Sequence, residues 1–208
     1  MKRTLAFAAS LLLLGACSSD GYTIRGKIAG LDNPYVYLLR YTGEVEVIDS
    51  AKVTKGDFVF KGKAEQPEVV YLSTDKQQPF VHFFLENGRI SVDGALSAPA
   101  DIAVLGTPSN DIQRAFDEKI AALEEEFAKT GNDVQRDSLR KEYSKLMSDA
   151  VEMNRDNIYG VTTFLNNAYA FLSPEEVMEQ IALFPAEWQQ RRELTELREA
   201  TERKLRVS

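Results

Sequence analysis

Between residues 22 and 105, apolar and polar positions alternate in short runs that are separated by Gly, Pro and Asn. Alternation with a period of two is typical of β-strands that bury one face. In the first run, Tyr22, Ile24 and Ile28 share one face and polar side chains share the other. The pattern predicts eight strands, at residues 22–28, 35–41, 45–53, 57–64, 68–74, 80–86, 89–93 and 102–105.

Turn residues and apolar faces predict how these strands are arranged. We expect one hairpin around Lys55-Gly56 and another around Asn87-Gly88, where Asn-Gly favours a tight turn because both residues tolerate positive φ. The strand at 35–41 is apolar on both faces, which predicts that it is covered on both sides. Gly26, inside the first strand, predicts a bulge or a close approach of backbones.

Beyond Gly106 the spacing of apolar residues changes to three and four, which is typical of amphipathic helices. The last helix is mostly charged, which suggests a spacer or a docking helix. We therefore predict an α+β chain, with an antiparallel β-sandwich or partly open barrel at residues 22–106 and a helical hairpin with linker helices at 107–208. The pattern predicts five helices, at about residues 110–130, 133–153, 158–168, 174–184 and 185–206, of which the third and fourth are short.

The N-terminus carries the pattern of a bacterial lipoprotein signal. A basic start precedes an apolar run that is too short to span a membrane, which requires about 20 residues. The sequence Leu14-Gly15-Ala16-Cys17 resembles a lipobox, which predicts a signal peptide at residues 1–16, a lipid on Cys17 and a polar tether at 17–21. An ordinary secretory signal with a cysteine at the cleavage site is the alternative.

The residue after the cysteine bears on the location of the protein. Asp at that position retains lipoproteins of enteric-type bacteria at the inner membrane, whereas Ser18 occupies it here. We therefore expect the protein at the outer membrane, lipid-anchored, with its domain on the periplasmic face rather than on the cell surface.

Composition excludes several classes of function. Removal of the signal leaves 23 basic residues against 32 acidic ones, a net charge of −9, which disfavours binding to nucleic acids and anionic lipids. Cys17 is the only cysteine, so lipidation leaves no thiol for thiol–disulfide exchange. Asn/Asp runs at 110–111, 132–133 and 154–157 lack the spacing of a calcium loop and are interpreted as helix caps. No cofactor and no metal site is predicted.

The candidates for a binding site lie in the β region. Alternation places His82, the only histidine, near Glu86, but no nucleophile or further metal ligand accompanies them, so we interpret His82 as a half-exposed strand residue. Tyr35, Tyr37 and Tyr41 share one strand face and could stack on a sugar or an extended peptide if that face is open. Aromatic residues with a period of two are otherwise typical of sheet core. These three tyrosines and His82 are the predicted ligand-binding residues, and no catalytic residue is predicted.

Three segments carry a family resemblance. Residues 22–30, 49–62 and 83–90 resemble a domain of unknown function in lipoproteins of Gram-negative, gut-type bacteria. In that family, the resemblance implies, a helical segment and then a thioredoxin-like domain of the TlpA/ResA type commonly follow the β domain. The sequence reaches Val207-Ser208 without a Cys-x-x-Cys motif, so no redox residue can be assigned to it, and we expect a short form or a truncated product.

These observations predict a lipid-anchored module that binds or scaffolds a periplasmic partner without catalysis of its own. The resemblance suggests a thioredoxin-like protein as that partner. The alternative is an accessory, non-catalytic half of a thiol–disulfide oxidoreductase system whose thioredoxin domain is missing or supplied in trans. Hydrolysis through Glu86 or His82 is a third hypothesis.

Overall fold

The computed structural model describes residues 20–169 and 172–207. Cys17 and the signal peptide predicted at residues 1–16 lie outside these ranges. Within them, eight strands precede six α-helices, in the order that the hydrophobic pattern predicts. The strands are β1 (Tyr22–Ala29), β2 (Tyr35–Tyr41), β3 (Val45–Lys52), β4 (Asp57–Gly62), β5 (Glu68–Ser73), β6 (Pro79–Leu85), β7 (Gly88–Ala95) and β8 (Ala103–Leu105). The helices are α1 (Pro108–Lys129), α2 (Asp133–Glu152), α3 (Ile158–Thr163), α4 (Pro174–Ala182), α5 (Ala186–Gln189) and α6 (Arg192–Val207).

The strands form two four-stranded sheets that pack face to face. The first sheet has the order β4-β1-β7-β8 and the second has the order β3-β2-β5-β6. Paired strands are antiparallel except β1 and β7, which run parallel from Tyr22 opposite Gly88 to Ala29 opposite Ala95. The predicted α+β class is confirmed, and of the two predicted β architectures the structure adopts the sandwich.

Alternate residues of both sheets fill the space between them. Each fully buried aliphatic or aromatic side chain contributes roughly 1.5–3 kcal/mol to folding. Gly26 makes room in this core, because a Cβ atom at that position would lie 1.9 Å from the ring of Phe58. The prediction for Gly26 is wrong in both forms, because the register with β4 passes through it without a bulge and its close neighbour is an aromatic ring and not a backbone. Core residues that are essentially inaccessible to solvent include Ile24, Ile28, Val36, Leu38, Phe60, Val70, Leu72, Phe83, Ile90 and Val92.

The hairpin predicted around Lys55-Gly56 does not form. β3 pairs with β2 in the second sheet and β4 pairs with β1 in the first, and a single bridge between Thr54 and Asp57 closes the turn. The turn itself is tight, with positive φ at both Lys55 and Gly56. This turn carries the chain from the second sheet to the first, where Phe58 and Phe60 of β4 are buried in the core that β2 also lines.

The hairpin predicted around Asn87-Gly88 is also wrong. β6 pairs with β5, whereas β7 lies beside β1 in the other sheet. Asn87 binds a distant backbone instead: its Oδ1 accepts a hydrogen bond from the N–H of Ala64 (2.9 Å) and its Nδ2 donates one to the Ala64 carbonyl (2.8 Å). The Asn87 side-chain amide therefore pairs with both backbone groups of Ala64, as a neighbouring strand would. Asn is suited to this position, between β6 and β7, because it has both a donor and an acceptor.

The expectation that β2 is covered on both sides is wrong at the ends of the strand. Val36, Leu38 and Leu39 are fully buried, but Tyr35 is 47% exposed and Tyr41 is 39% exposed. The outer face of the second sheet is covered by the helices near β6, and this cover does not extend over the whole of β2.

The first four helices lie close to their predicted positions, and two of the three Asn/Asp runs cap helices as predicted. Asn132 accepts a hydrogen bond from the Val134 N–H at the start of α2, and Asn157 caps α3 in the same way. The capping box at the start of α4 is confirmed, since Ser173 and Glu176 bind each other's backbone N–H groups. Within the described ranges, no helix is both long enough and apolar enough to cross a bilayer.

The last predicted helix differs from its prediction in two ways. It is divided into α5 and α6, and α6 packs against α4 instead of projecting as a spacer. Leu194 is fully buried beside Val177 and Ile181 of α4. Of the two interpretations that the charged sequence allowed, the docking helix is correct, because a narrow apolar stripe suffices to hold it.

Candidate functional site

A cleft of about 1170 Å³ lies between the outer face of the second sheet and the helices. Strands β2, β5 and β6 supply one wall, and α1, α3 and the junction of α5 with α6 supply the other. A small apolar cluster joins the two walls, in which Phe84 and Val69 of the sheet pack against Phe116, Ile158 and Tyr159 of the helices. The cleft therefore exists only in the folded arrangement of both halves of the chain.

Asn110 attaches the start of α1 to the edge strand β6. The Phe84 N–H donates to Asn110 Oδ1 (2.9 Å), and Asn110 Nδ2 donates to the Phe84 carbonyl (2.8 Å) and to Thr107 Oγ1 (2.7 Å). Beside it, the carboxylate of Glu86 accepts from the Ser109 N–H (3.1 Å) and hydroxyl (2.6 Å). Asn110, predicted as a cap, instead satisfies the backbone of β6.

Tyr41, Tyr71 and His82 form an aromatic row on the sheet wall of the cleft. Tyr71 and His82 are directly opposite each other on β5 and β6, with ring centroids 6.0 Å apart. Tyr41 meets Tyr71 edge to face, at 4.7 Å and 79°. Burial raises the pKa of Tyr71, so its hydroxyl remains a neutral hydrogen-bonding group at physiological pH.

The structure thus brings together two of the four predicted ligand-binding residues. Tyr41 and His82 line the cleft, whereas Tyr35 and Tyr37 do not. The ring of Tyr37 lies beneath the Lys76 ammonium, whose Nζ is 4.7 Å from the ring centroid, and Tyr35 is exposed at the start of β2. Sequence reasoning missed Tyr71, although its alternation along β5 signals an outward-facing position.

On the helical wall, Tyr159 and Asp117 are the titratable groups with perturbed pKa values. Tyr159 stacks on Phe116 (5.5 Å, 27°) and meets Phe84 edge to face (6.1 Å), and burial raises the pKa of its hydroxyl to about 12. Burial also raises the pKa of Asp117, while a hydrogen bond with Gln113 and the charge of His82 act in the opposite direction. Neither residue was predicted, because their contacts join elements distant in the chain.

An ion-pair cluster around Arg40 lies along the rim of the cleft. Arg40 binds Glu68 through two hydrogen bonds of 2.5 and 2.7 Å and contacts Glu46 at 3.3 Å. The hydrogen bond with Glu68 raises the pKa of Arg40 further above its usual range. Such partly exposed pairs contribute about 0–1 kcal/mol to stability, so their main effect is to fix the positions of these side chains at the rim.

Arg191, at the junction of α5 and α6, has the most buried side chain of the three arginines that line the cleft. Its side chain is 8% exposed, and its Nε has no hydrogen-bond partner among the described residues. Glu193 Oε1 is 3.5 Å from Arg191 Nη2, and the guanidinium carbon of Arg191 is 5.3 Å from the centroid of the Trp188 ring. No sequence signal distinguished Arg191 from the other charged residues of this segment.

Polar groups near the cleft are partly engaged in the fold. The Glu86 carboxylate accepts two hydrogen bonds from Ser109, which tie it to the start of α1. Within residues 20–169 and 172–207, no three His, Cys, Asp or Glu side chains are grouped so that they could hold a metal ion. The cleft instead offers aromatic faces and a few polar groups, which is the usual composition of a ligand site.

Comparison with known proteins bears on the β region. Residues 22–113 match the family model described as a domain of unknown function (DUF4369). The matched segment contains all eight strands and the first residues of α1, including Asn110, but not the other helices that close the cleft. No curated protein and no solved structure gives a significant match to the chain.

Proposed function

We propose that this protein, whose residues 22–113 match the family model of a domain of unknown function (DUF4369), is a lipid-anchored binding module of the bacterial envelope, without catalytic activity of its own. On this proposal it holds a ligand or a segment of a periplasmic partner in the cleft between its second sheet and its helices. The single observation that carries the proposal is the cleft itself, with its row of Tyr41, Tyr71 and His82 on the sheet wall.

The size of the cleft supports a ligand larger than a metabolite of a few atoms. Small-molecule sites typically enclose about 300–1,000 Å³, and this cleft reaches about 1170 Å³. Its aromatic row lies along neighbouring strands, so a chain-like ligand, such as an extended peptide or a glycan, would meet one ring after another.

The anchor follows from the sequence around Cys17. Each buried CH₂ group of a lipid contributes about 0.8 kcal/mol to membrane binding, and stable attachment takes two chains. A diacylglyceryl group on Cys17 supplies both. Ser18 after it favours the outer membrane, where we propose that the domain faces the periplasm.

The family resemblance of the sequence favours a second candidate function. Residues 22–30, 49–62 and 83–90 resemble domains that commonly precede a thioredoxin-like domain. The protein would then be an accessory, non-catalytic part of a thiol–disulfide oxidoreductase system, and its cleft would hold that system's thioredoxin-like protein or its substrate.

Photo-crosslinking in the native envelope tests the proposal. A photoreactive amino acid replaces Tyr71, which lies in the cleft, and, as the matched control, Val59, which is 45% exposed on the first sheet. We expect covalent adducts, identified by mass spectrometry, at position 71 and not at 59. A thioredoxin-fold protein among the adducts would favour the second candidate. Identical adducts at both positions, or none at 71, would contradict the binding role of the cleft.

A further inference from the structure

We infer that the cleft contains a subsite for a carboxylate group, built around Arg191, and that its ligand is an organic acid with an apolar or aromatic body. The inference rests on the proposed function, since it specifies the chemistry of the ligand that the cleft receives. It goes beyond that function because it assigns a residue and a chemical group.

Arg191 is held in place by its own backbone. Its N–H donates to the Trp188 carbonyl (3.0 Å), and its carbonyl accepts from the Thr195 N–H (2.9 Å), so it connects the end of α5 to the start of α6. The side chain lines the cleft, and more than nine-tenths of its surface is buried. The helix break that the sequence did not predict therefore places Arg191 at the wall of the cleft.

The guanidinium is buried without the hydrogen bonds that burial normally demands. It carries five N–H donors in a planar fork. The Nε donor has no partner within the described ranges, and the contact with Glu193 Oε1, at 3.5 Å, is too long for a good hydrogen bond. Contact with the Trp188 ring stabilises the charge but accepts none of these donors in the plane of the fork.

Two other partly buried arginines have hydrogen-bond acceptors for their guanidinium groups. Arg40 forms its two-bond contact with Glu68. Arg155 donates to Gln180 Oε1 (2.7 Å) and to the Gln180 carbonyl (3.3 Å). Arg191 is more buried than Arg40, yet its Nε lacks such an acceptor. A ligand in the cleft is the natural source of one.

A carboxylate fits this site better than a multiply charged anion. A planar guanidinium binds a carboxylate through two parallel hydrogen bonds. Glu193 and Asp117 also line the cleft, and the whole chain carries a net charge of −7, so a dianion such as phosphate would meet more repulsion. The carboxylate could belong to a free small acid or to the C-terminus of a peptide; the same chemistry serves both.

The test uses the full chain in detergent and the fluorescence of Trp188, the only tryptophan, which contacts Arg191. The probes are N-acetyl-phenylalanine and its amide, a tetrapeptide that ends in phenylalanine with a free or amidated C-terminus, and inorganic phosphate. We expect each acid to bind about 10- to 100-fold more tightly than its amide, since a charge-assisted pair is lost. Stronger binding of the tetrapeptide acid would indicate a peptide source, and stronger binding of the amino acid would indicate a small one.

Arg191→Gln should remove the preference for the acid, and Arg203→Gln, at an exposed position of α6 outside the cleft, should leave it unchanged. If circular dichroism shows that Arg191→Gln does not fold, Arg191→Lys replaces it and should bind the acid at least about tenfold more weakly, because an ammonium lacks the planar fork. Equal binding of acid and amide, binding of neither, unchanged binding by the folded Arg191 variant, or phosphate binding as tight as that of the acids would overturn the inference. Adducts at position 71 alongside any of these results would leave the binding role of the cleft standing.

Discussion

Replacement of Asn110 by alanine tests whether one buried side chain holds the helices on the sheet. Asn110 is 2% exposed, and its amide makes three hydrogen bonds, two of them to the backbone of Phe84. Alanine removes all three. The N–H and carbonyl of Phe84 then lose their partners at a residue that is itself 3% exposed, on the edge strand of the second sheet.

The expected loss follows from these two backbone groups. Each buried group left without a hydrogen bond costs about 1–3 kcal/mol, so the free energy of unfolding should fall by about 2–6 kcal/mol. The matched control is Asn132→Ala, which removes an exposed cap at the start of α2 and should cost about 1 kcal/mol.

Urea unfolding followed by circular dichroism measures both variants. The midpoint should fall much further for Asn110→Ala than for Asn132→Ala, with little change in the slope m. Asn110→Asp adds a second check, because a carboxylate can accept from the Phe84 N–H but cannot donate to its carbonyl, so it should not restore full stability. A loss at position 110 no larger than that at 132 would refute the reasoning, since the Phe84 backbone would then be satisfied without Asn110.

Three further predictions concern the core, the buried tyrosine and the anchor. Gly26→Ala should lower the free energy of unfolding by at least about 1–3 kcal/mol, because its Cβ overlaps the Phe58 ring, whereas Gly131→Ala, which has open space around it, should change it by less than about 0.5 kcal/mol in urea unfolding. The pKa of Tyr159 is raised from 10.0 in the unfolded chain to about 12 in the fold. Its contribution to the free energy of unfolding is therefore fully present below pH 10 and is lost as the pH rises towards 12. Tyr159→Phe should therefore flatten the fall in unfolding free energy over that range, and an unchanged pH dependence would contradict it. Cys17→Ser should release the protein from the membrane fraction and abolish its labelling by radioactive palmitate; retention of both would exclude the lipid anchor.

The hydrophobic pattern was sufficient to predict the elements because it reports local burial. Strand β1 shows why: Ile24 and Ile28 must face one side whichever strand lies next to them. The caps at Asn132 and Ser173 were predictable for the same reason, since a cap bonds to backbone only two or three residues away. The resemblance of residues 22–30, 49–62 and 83–90 to a domain of unknown function is likewise a property of local segments. The family model that matches residues 22–113 supports it.

The partners of these elements were not predictable from local pattern. Lys55-Gly56 and Asn87-Gly88 have the residues of tight turns, but a turn fixes only the direction of the chain and not the sheet that the next strand joins. Pairing depends on which faces complete the core, and β7 lies parallel to β1 inside the first sheet, where Ile90 and Val92 are buried between the sheets.

The candidate site illustrates the same division between sequence and tertiary structure. The sequence alone determined the eight strands, the helical segment and the outward-facing aromatics, including Tyr41 and His82. Only the tertiary structure decided that Tyr71 joins that row and that Arg191 is buried against Trp188. The physical reason is that periodicity records which side of an element is apolar, whereas a cleft forms where long-range packing leaves faces of separate elements opposite one another.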